Sequence, residues 1–306
     1  MEIQEKIAVR AAAAEQEIEK FLPEQKGYAG TLYEAMNYSV RAGGKRLRPI
    51  LMASCHRLMG GDGKHLAPCM AAIEMIHTYS LVHDDLPAMD NDMLRRGKPT
   101  THAAYGEAMA ILAGDGLLNH AFTILGKELI SCDEISMKHV ARVIAILSEK
   151  AGIDGMIGGQ TVDVESEKTG SLITKEKLDY IYEKKTACLL EAAMMCGGAL
   201  AGATEEQLME LCRIAQKVGL AFQIQDDILD VTGDQEVLGK PIGSDEKNEK
   251  ATYVTYEGIE KAKEDVSRLS EEACGLLDRL CRKDAAAQEE ADFLKELFAY
   301  LTVRDH

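Results

Sequence analysis

Six aspartates fall into two short runs: Asp84, Asp85 and Asp90 in HDDLPAMDND, and Asp226, Asp227 and Asp230 in FQIQDDILDV. Each run follows an apolar, helix-like approach, Ala71 to Val82 in the first case and Val218 to Ile224 in the second. On a helix, Asp226 and Asp230 share one face and Asp227 is adjacent. Carboxylates so close raise each other's proton affinity and repel, so a divalent cation or an arginine is expected among them. No cysteine or histidine stands at zinc-like spacing around either run, and an all-oxygen donor set favours a hard ion such as Mg²⁺. Magnesium shares its shell readily with substrate phosphates, so each run has the make-up of half a magnesium site.

Two basic islands supply the opposite charge. Lys45, Arg46 and Arg48 sit in GGKRLRP, and Arg95, Arg96 and Lys98 sit in LRRGKPT. The whole chain carries a net charge of −16, which opposes general nucleic-acid binding and attraction to anionic membranes. Basic islands in so acidic a chain point to a specific small anion. Asp90 to Thr100 joins the first acidic run to Arg95 and Arg96, and Gly233 to Lys250 follows the second run with Lys240, Lys247 and Lys250. Long polar loops at the open end of a bundle commonly act as lids.

The elements that must position these groups are helices. The 306 residues include no tryptophan and few aromatics, and Ala, Leu, Glu, Lys and Met, which favour helix over sheet, are abundant. No proline interrupts the stretch between Pro99 and Pro241. Apolar periodicity near 3.6 recurs through Ile3–Leu22, Leu32–Val40, Pro49–Met59, Pro68–Val82 and Ala103–Leu129. It resumes through Val140–Met156 and in two segments flanking Thr204. Breaks fall at Gly43-Gly44, Gly60–Gly63, Asp90–Thr100 and Gly233–Lys250. With no repeat and no low-complexity linker, the expectation is all-α and one domain over residues 1–306. Ala187 to Ala203 is nearly continuous in apolar and small residues, but Glu191 interrupts it and it is shorter than about 20 residues. A buried core helix is expected there, and no stable membrane insertion. MEIQEKIAVR reads as an amphipathic first helix rather than a signal peptide. The eight cysteines form no CxxC, which fits reduced thiols in a cytoplasmic protein.

Taken in order, GGKRLRP, IHTYSLVHDDLPAMDNDMLRRGKPT, GGQTVD, KKTACLL and FQIQDDILDVTGD closely resemble the short-chain trans-isoprenyl diphosphate synthases. The bacterial farnesyl type is nearest, and the likeness spans about Gly43 to Tyr253. It implies a helical bundle of the isoprenoid synthase type with a central active-site cavity, and a homodimer. It also implies a cluster of about three Mg²⁺ ions, with Mn²⁺ as a substitute, between the two aspartate motifs. The metal-side residues carried over are Asp84, Asp85, Asp90, Asp226, Asp227 and Asp230, holding the diphosphate of dimethylallyl or geranyl diphosphate. Arg95 adds a forked donor to that diphosphate. Isopentenyl diphosphate falls to Lys45, Arg48, His77 and Arg96. Lys185, Thr186 and Gln223 match the polar residues around the reacting allylic carbon, Lys185 and Lys240 assist the allylic diphosphate, and Gln160 and Asp163 match a further polar pair.

Chain length is assigned to Tyr79 and Ser80, about one turn before Asp84. A bulky Tyr79 favours a C15 product, and the inserted Pro87-Ala88 is shared by bacterial farnesyl and some geranylgeranyl enzymes. Met93 departs from a more usual aspartate, and Arg304-Asp305-His306 departs from a more basic terminus. Three other readings stay open at this point: a geranylgeranyl synthase, a terpene cyclase, and a non-catalytic partner subunit with the same fold. The cyclase would not need a second diphosphate site, and the partner subunit would be expected to have lost aspartates.

Overall fold

A computed structural model describes residues 2–169, 173–232, 252–281 and 284–303. The helices in chain order are α1 (Ile3–Glu19), α2 (Gly30–Arg41), α3 (Leu47–Leu58), α4 (Leu66–Asp84), α5 (Thr101–Tyr105), α6 (Glu107–Ser131), α7 (Glu134–Ala151) and α8 (Met156–Thr169). They continue with α9 (Lys175–Ile181), a π-helical turn (Tyr182–Ala187), α10 (Cys188–Leu200), α11 (Glu205–Thr232), α12 (Tyr253–Glu257), α13 (Ile259–Leu280) and α14 (Ala285–Val303). The fold is all-α apart from one antiparallel hairpin, β1 (Leu94–Arg95) with β2 (Lys98–Pro99).

Every residue of α10 is buried, and the helix packs against α3, α7 and α11. Its small residues permit this. A Cβ on Gly197 would stand 2.2 Å from the Met52 carbonyl oxygen of α3. Glu191, the charge that interrupts the apolar run, is buried and paired with Lys150 of α7, so the run is a core helix as expected. The described helix long and apolar enough to cross a membrane is instead α6, with 39% of its most apolar stretch buried. It packs on α4 and on α2, α5 and α7.

α4 is apolar almost all round, with Ile73, Met75 and Ile76 fully buried, and it stays in the core until its polar C-terminus. Burying side chains of that size stabilises the fold by roughly 1.5–3 kcal/mol each. Two expectations are corrected locally. The periodic segment Ala103–Leu129 is two helices, because Gly106 takes φ +86 and breaks the ladder between α5 and α6. The polar connection Asp90–Thr100 contains the hairpin, because Arg96 and Gly97 take φ +54 and +75 and turn the chain back in two residues.

Candidate active site

The first aspartate run lies where α4 ends. Asp84 is its last residue and Asp85 its C-cap. The chain then loops through Pro87-Ala88 and returns, so that the Asp90 amide donates to the Asp84 carbonyl at 2.9 Å. The two inserted residues are thus absorbed by a turn that brings Asp90 back beside Asp84. Burial pushes the Asp84 carboxyl up to about 6; Lys185 and Arg95 oppose this, and Asp90 and Asp85 add to it. Asp85 is almost wholly buried, and Arg95 grips it with Nε (2.8 and 3.0 Å) and Nη2 (2.6 Å). That fork holds Arg95 in the charged form against the cost of burial. Two residues to which the resemblance gives separate partners are therefore joined to each other.

α8 faces this end of α4. Gln160 Nε2 donates to Asp84 Oδ1 at 3.0 Å, and Asp163 Oδ2 accepts from Lys185 Nζ at 2.5 Å. The GGQTVD spacing explains the approach. A Cβ on Gly159 would fall 2.3 Å from the Lys185 backbone nitrogen, so only glycine lets α8 lie against the π-helical turn. The turn places Thr186 so that its Oγ1 donates to Gln223 Oε1 at 3.0 Å. Gln223 lies on α11 three residues before Asp226, on the same face. The π-helical turn therefore stands between the motifs, with Lys185 acting on Asp84 by charge and Thr186 bonded to Gln223 one turn before Asp226. Asp227 differs from its neighbours: it is buried, and its Oδ2 accepts from the Tyr182 hydroxyl and from the Tyr253 amide at 2.7 Å.

The basic islands separate into two kinds of residue. Arg46, at φ +49 before α3, is buried against Glu74 (2.6 Å), the Val40 carbonyl (2.6 Å) and Glu15 (3.2 Å). It ties α1, α2 and α4 together. Arg48 is half-buried, and among the described residues its buried Nε meets no hydrogen-bond partner. Burial draws its guanidinium down to about 10; Glu74 opposes this and Arg96 reinforces it. Arg96 donates to the Gly43 carbonyl, and Gly43 and Gly44 take φ +91 and +138, a left-handed backbone that accounts for the glycine pair. His77 is held well below the ordinary imidazole value by burial and then by Arg48, Arg96, Arg95 and Arg46, so it is neutral near pH 7. Lys45 lies with its Nζ 5.5 Å from the Tyr300 ring centroid. His77, Arg95, Arg96, Glu74 and Asp85 line one cleft between α4 and the hairpin. Guanidinium groups crowded together near an unmet buried donor have the chemistry to receive a polyvalent anion.

The Polyprenyl synthetase family model matches residues 29–291. The chain belongs to that family. As a polyprenyl synthetase it is 47% identical over 265 residues to the farnesyl diphosphate synthase of Geobacillus stearothermophilus, covering 82% of this chain and 88% of the relative. It is 45% identical to the geranylgeranyl diphosphate synthase of Cyanophora paradoxa, over 86% of each chain. Among solved structures, the FPP/GFPP synthase of Zymomonas mobilis superposes with a TM-score of 0.84 at 32% identity, covering 98% of this chain and 99% of the other. The Helicobacter pylori geranyltransferase, complexed with magnesium and isoprenyl diphosphate, superposes at 0.78 and 34% identity, covering 94% and 97%.

Within this polyprenyl synthetase the aspartate donors suit magnesium: they are all oxygen, and Asp84 and Asp90 are held together by the backbone. Among the described residues, however, three ligating atoms gather within 4.8 Å of one another at His65, Glu128 and Cys132, not at the aspartates. Asp85 is engaged by Arg95, so a bound ion would be held chiefly by the other aspartates. Tyr79 is buried, its hydroxyl meets no partner among the described residues, and its ring stands edge-on to His83. Ser80 Oγ donates to the His77 carbonyl at 2.8 Å. Met93 is 59% exposed, so the missing charge lies at the surface. Lys240 and Arg304 to His306 lie outside the described residues. Sequence reasoning missed Tyr182 and Tyr253 as partners of Asp227, since nothing in their spacing signals that contact.

Proposed function

We propose that the chain is a farnesyl diphosphate synthase. It joins isopentenyl diphosphate to dimethylallyl diphosphate and then to geranyl diphosphate, and releases (2E,6E)-farnesyl diphosphate. The observation that carries this reading is the cleft lined by His77, Arg95 and Arg96, with the buried, unmet Arg48 Nε close by, beside a carboxylate wall. It gives one diphosphate site built of protein donors next to one suited to a cation. A cyclase acting on a single diphosphate needs only the second, and a non-catalytic subunit needs neither.

In this reading Asp84, Asp90, Asp226 and Asp230 hold the metal on the allylic diphosphate, with Asp85 and Asp227 supporting them. Magnesium bound there neutralises the departing diphosphate, which is the demanding part of ionisation. Asp85 keeps Arg95 charged and aimed. Lys185, fixed by Asp163, and Lys240 add positive charge on the same group. The Thr186 and Gln223 oxygens present their dipoles to the allylic cation. Arg48, Arg96, Lys45 and neutral His77 hold isopentenyl diphosphate so that its double bond meets that cation. The new carbon–carbon bond forms, and the released diphosphate takes the proton that restores the double bond.

Tyr79 closes the cavity at C15 in this reading, with Ser80 beside it. Tyr79→Ala then shifts the product toward C20, while Tyr79→Phe keeps C15 because the hydroxyl has no partner to lose. The chain acts as one cytoplasmic polyprenyl synthase domain and as a homodimer. The outward face of α6, with Ile111 and Leu112 exposed and Leu118 and Phe122 half-buried, is the apolar surface a second copy would cover. The deciding experiment incubates pure protein with isopentenyl and dimethylallyl diphosphates and Mg²⁺ and separates products by chain length. A C15 product is expected. A C20 product transfers the reading to a geranylgeranyl synthase, and absence of isopentenyl incorporation ends it.

A further inference from the structure

A second constellation of ligating groups lies at the other end of α4. His65 immediately precedes α4 at φ +59, Glu128 is in the last turn of α6, and Cys132 caps that helix. Glu128 and Cys132 are four residues apart and so share a face. His65 Nδ1 lies 2.5 Å from Glu128 Oε1, and Cys132 Sγ lies 3.6 and 3.9 Å from the two ring nitrogens. We propose that His65, Glu128 and Cys132 form a second metal site, one that takes a zinc-class transition ion rather than magnesium.

The donor set decides the class of ion. Imidazole, carboxylate and thiolate together suit a borderline-soft divalent ion, whereas a hard ion is poorly served by sulfur. The spacing agrees. Tetrahedral coordination with bonds of about 2.0 Å to nitrogen and 2.3 Å to sulfur sets those two atoms roughly 3.5 Å apart. A His65–Glu128 hydrogen bond alone explains two of the groups but gives the thiol no part. On binding, the ion replaces the proton shared by His65 and Glu128, the gap between them widens to about 3.3 Å, and the Cys132 proton is released.

The site is also held in place. Asp133, next to Cys132, caps α7 by accepting from the Ile135 and Ser136 amides at 3.0 Å each, which fixes the turn that carries the thiol. The His65 and Glu128 side chains remain 20% and 23% exposed, so an ion has access from solvent. Over the 19 residues of α4 the axis rises about 28 Å, which places this site far from Asp84.

Cobalt(II) serves as the zinc probe, added to the reduced full-length protein in excess Mg²⁺, which occupies the aspartates. A thiolate-to-cobalt charge-transfer band saturating at one equivalent and bleached by zinc is expected. Cys132→Ser should abolish it. Glu128→Gln and His65→Asn, the latter chosen because asparagine tolerates positive φ, should each weaken cobalt binding roughly tenfold or more. No band in the parent protein overturns the site, as does a band that survives in Cys132→Ser, which would belong to another thiol such as Cys69. Should Cys132→Ser not fold, unchanged affinity in the other two variants overturns it equally.

Discussion

At the scale of single residues, burial separates groups that look equivalent on paper. Arg46 and Arg48 are two positions apart in one basic island, yet Arg46 completes a buried ion pair with Glu74 while Arg48 keeps an unmet donor. Removing Arg46 leaves Glu74 charged and buried, so Arg46→Met should cost about 3–5 kcal/mol in a denaturant titration. Arg48→Met should cost little stability and instead raise the KM for isopentenyl diphosphate on the order of tenfold or more, with the allylic KM nearly unchanged. An equal rise in both would refute the division of the two diphosphates. Asp84 yields a prediction in pH. Its carboxyl, pushed to about 6 by burial, holds a proton more tightly folded than unfolded. The stability this contributes is fully present below about pH 4 and lost as pH rises through about 6. The gap corresponds to on the order of 3 kcal/mol. In chelator, Asp84→Asn should therefore melt above the parent at about pH 7.5 and level with it near pH 4, as followed by circular dichroism.

At the scale of elements, the site depends on places where regular structure is interrupted. The π-helical turn inserts a residue into the register between α9 and α10, and Lys185 and Thr186 project from it toward Asp163 and Gln223. Gly159 is the other half of that joint. Gly159→Ala places a methyl against Lys185 backbone, which cannot yield as a side chain would, so α8 must move. The expected cost is about 1–3 kcal/mol, together with a drop in kcat as Gln160 leaves Asp84. A fully active Gly159→Ala variant would show that α8 does not position the site. The hairpin makes a similar contribution, since Arg96-Gly97 turns the chain so that Arg95 meets Asp85 and Arg96 meets Gly43.

At the scale of the whole molecule, α6 leaves Ile111, Leu112 and Ile130 exposed. Its most apolar stretch is 39% buried although the helix is as hydrophobic as a membrane span. In the proposed homodimer a second copy would cover that face. If that proposal holds, the parent protein scatters light as a dimer, and Ile111→Asp should convert it to a monomer while leaving the helical content intact. A parent protein that is already monomeric would remove the proposal.

The helices up to the segments flanking Thr204, the apolar approaches to both aspartate runs and the core helix within Ala187–Ala203 were legible in the chain, because period and composition are local quantities. The spacing of the motifs and the glycines beside them likewise pointed to one family. Tertiary structure alone separated Arg46 from Arg48, joined Asp85 to Arg95, turned Asp227 toward Tyr182 and Tyr253, and gathered His65, Glu128 and Cys132. Each of those outcomes depends on which distant groups share a low-dielectric interior, and a list of residues does not carry that information until the helices pack.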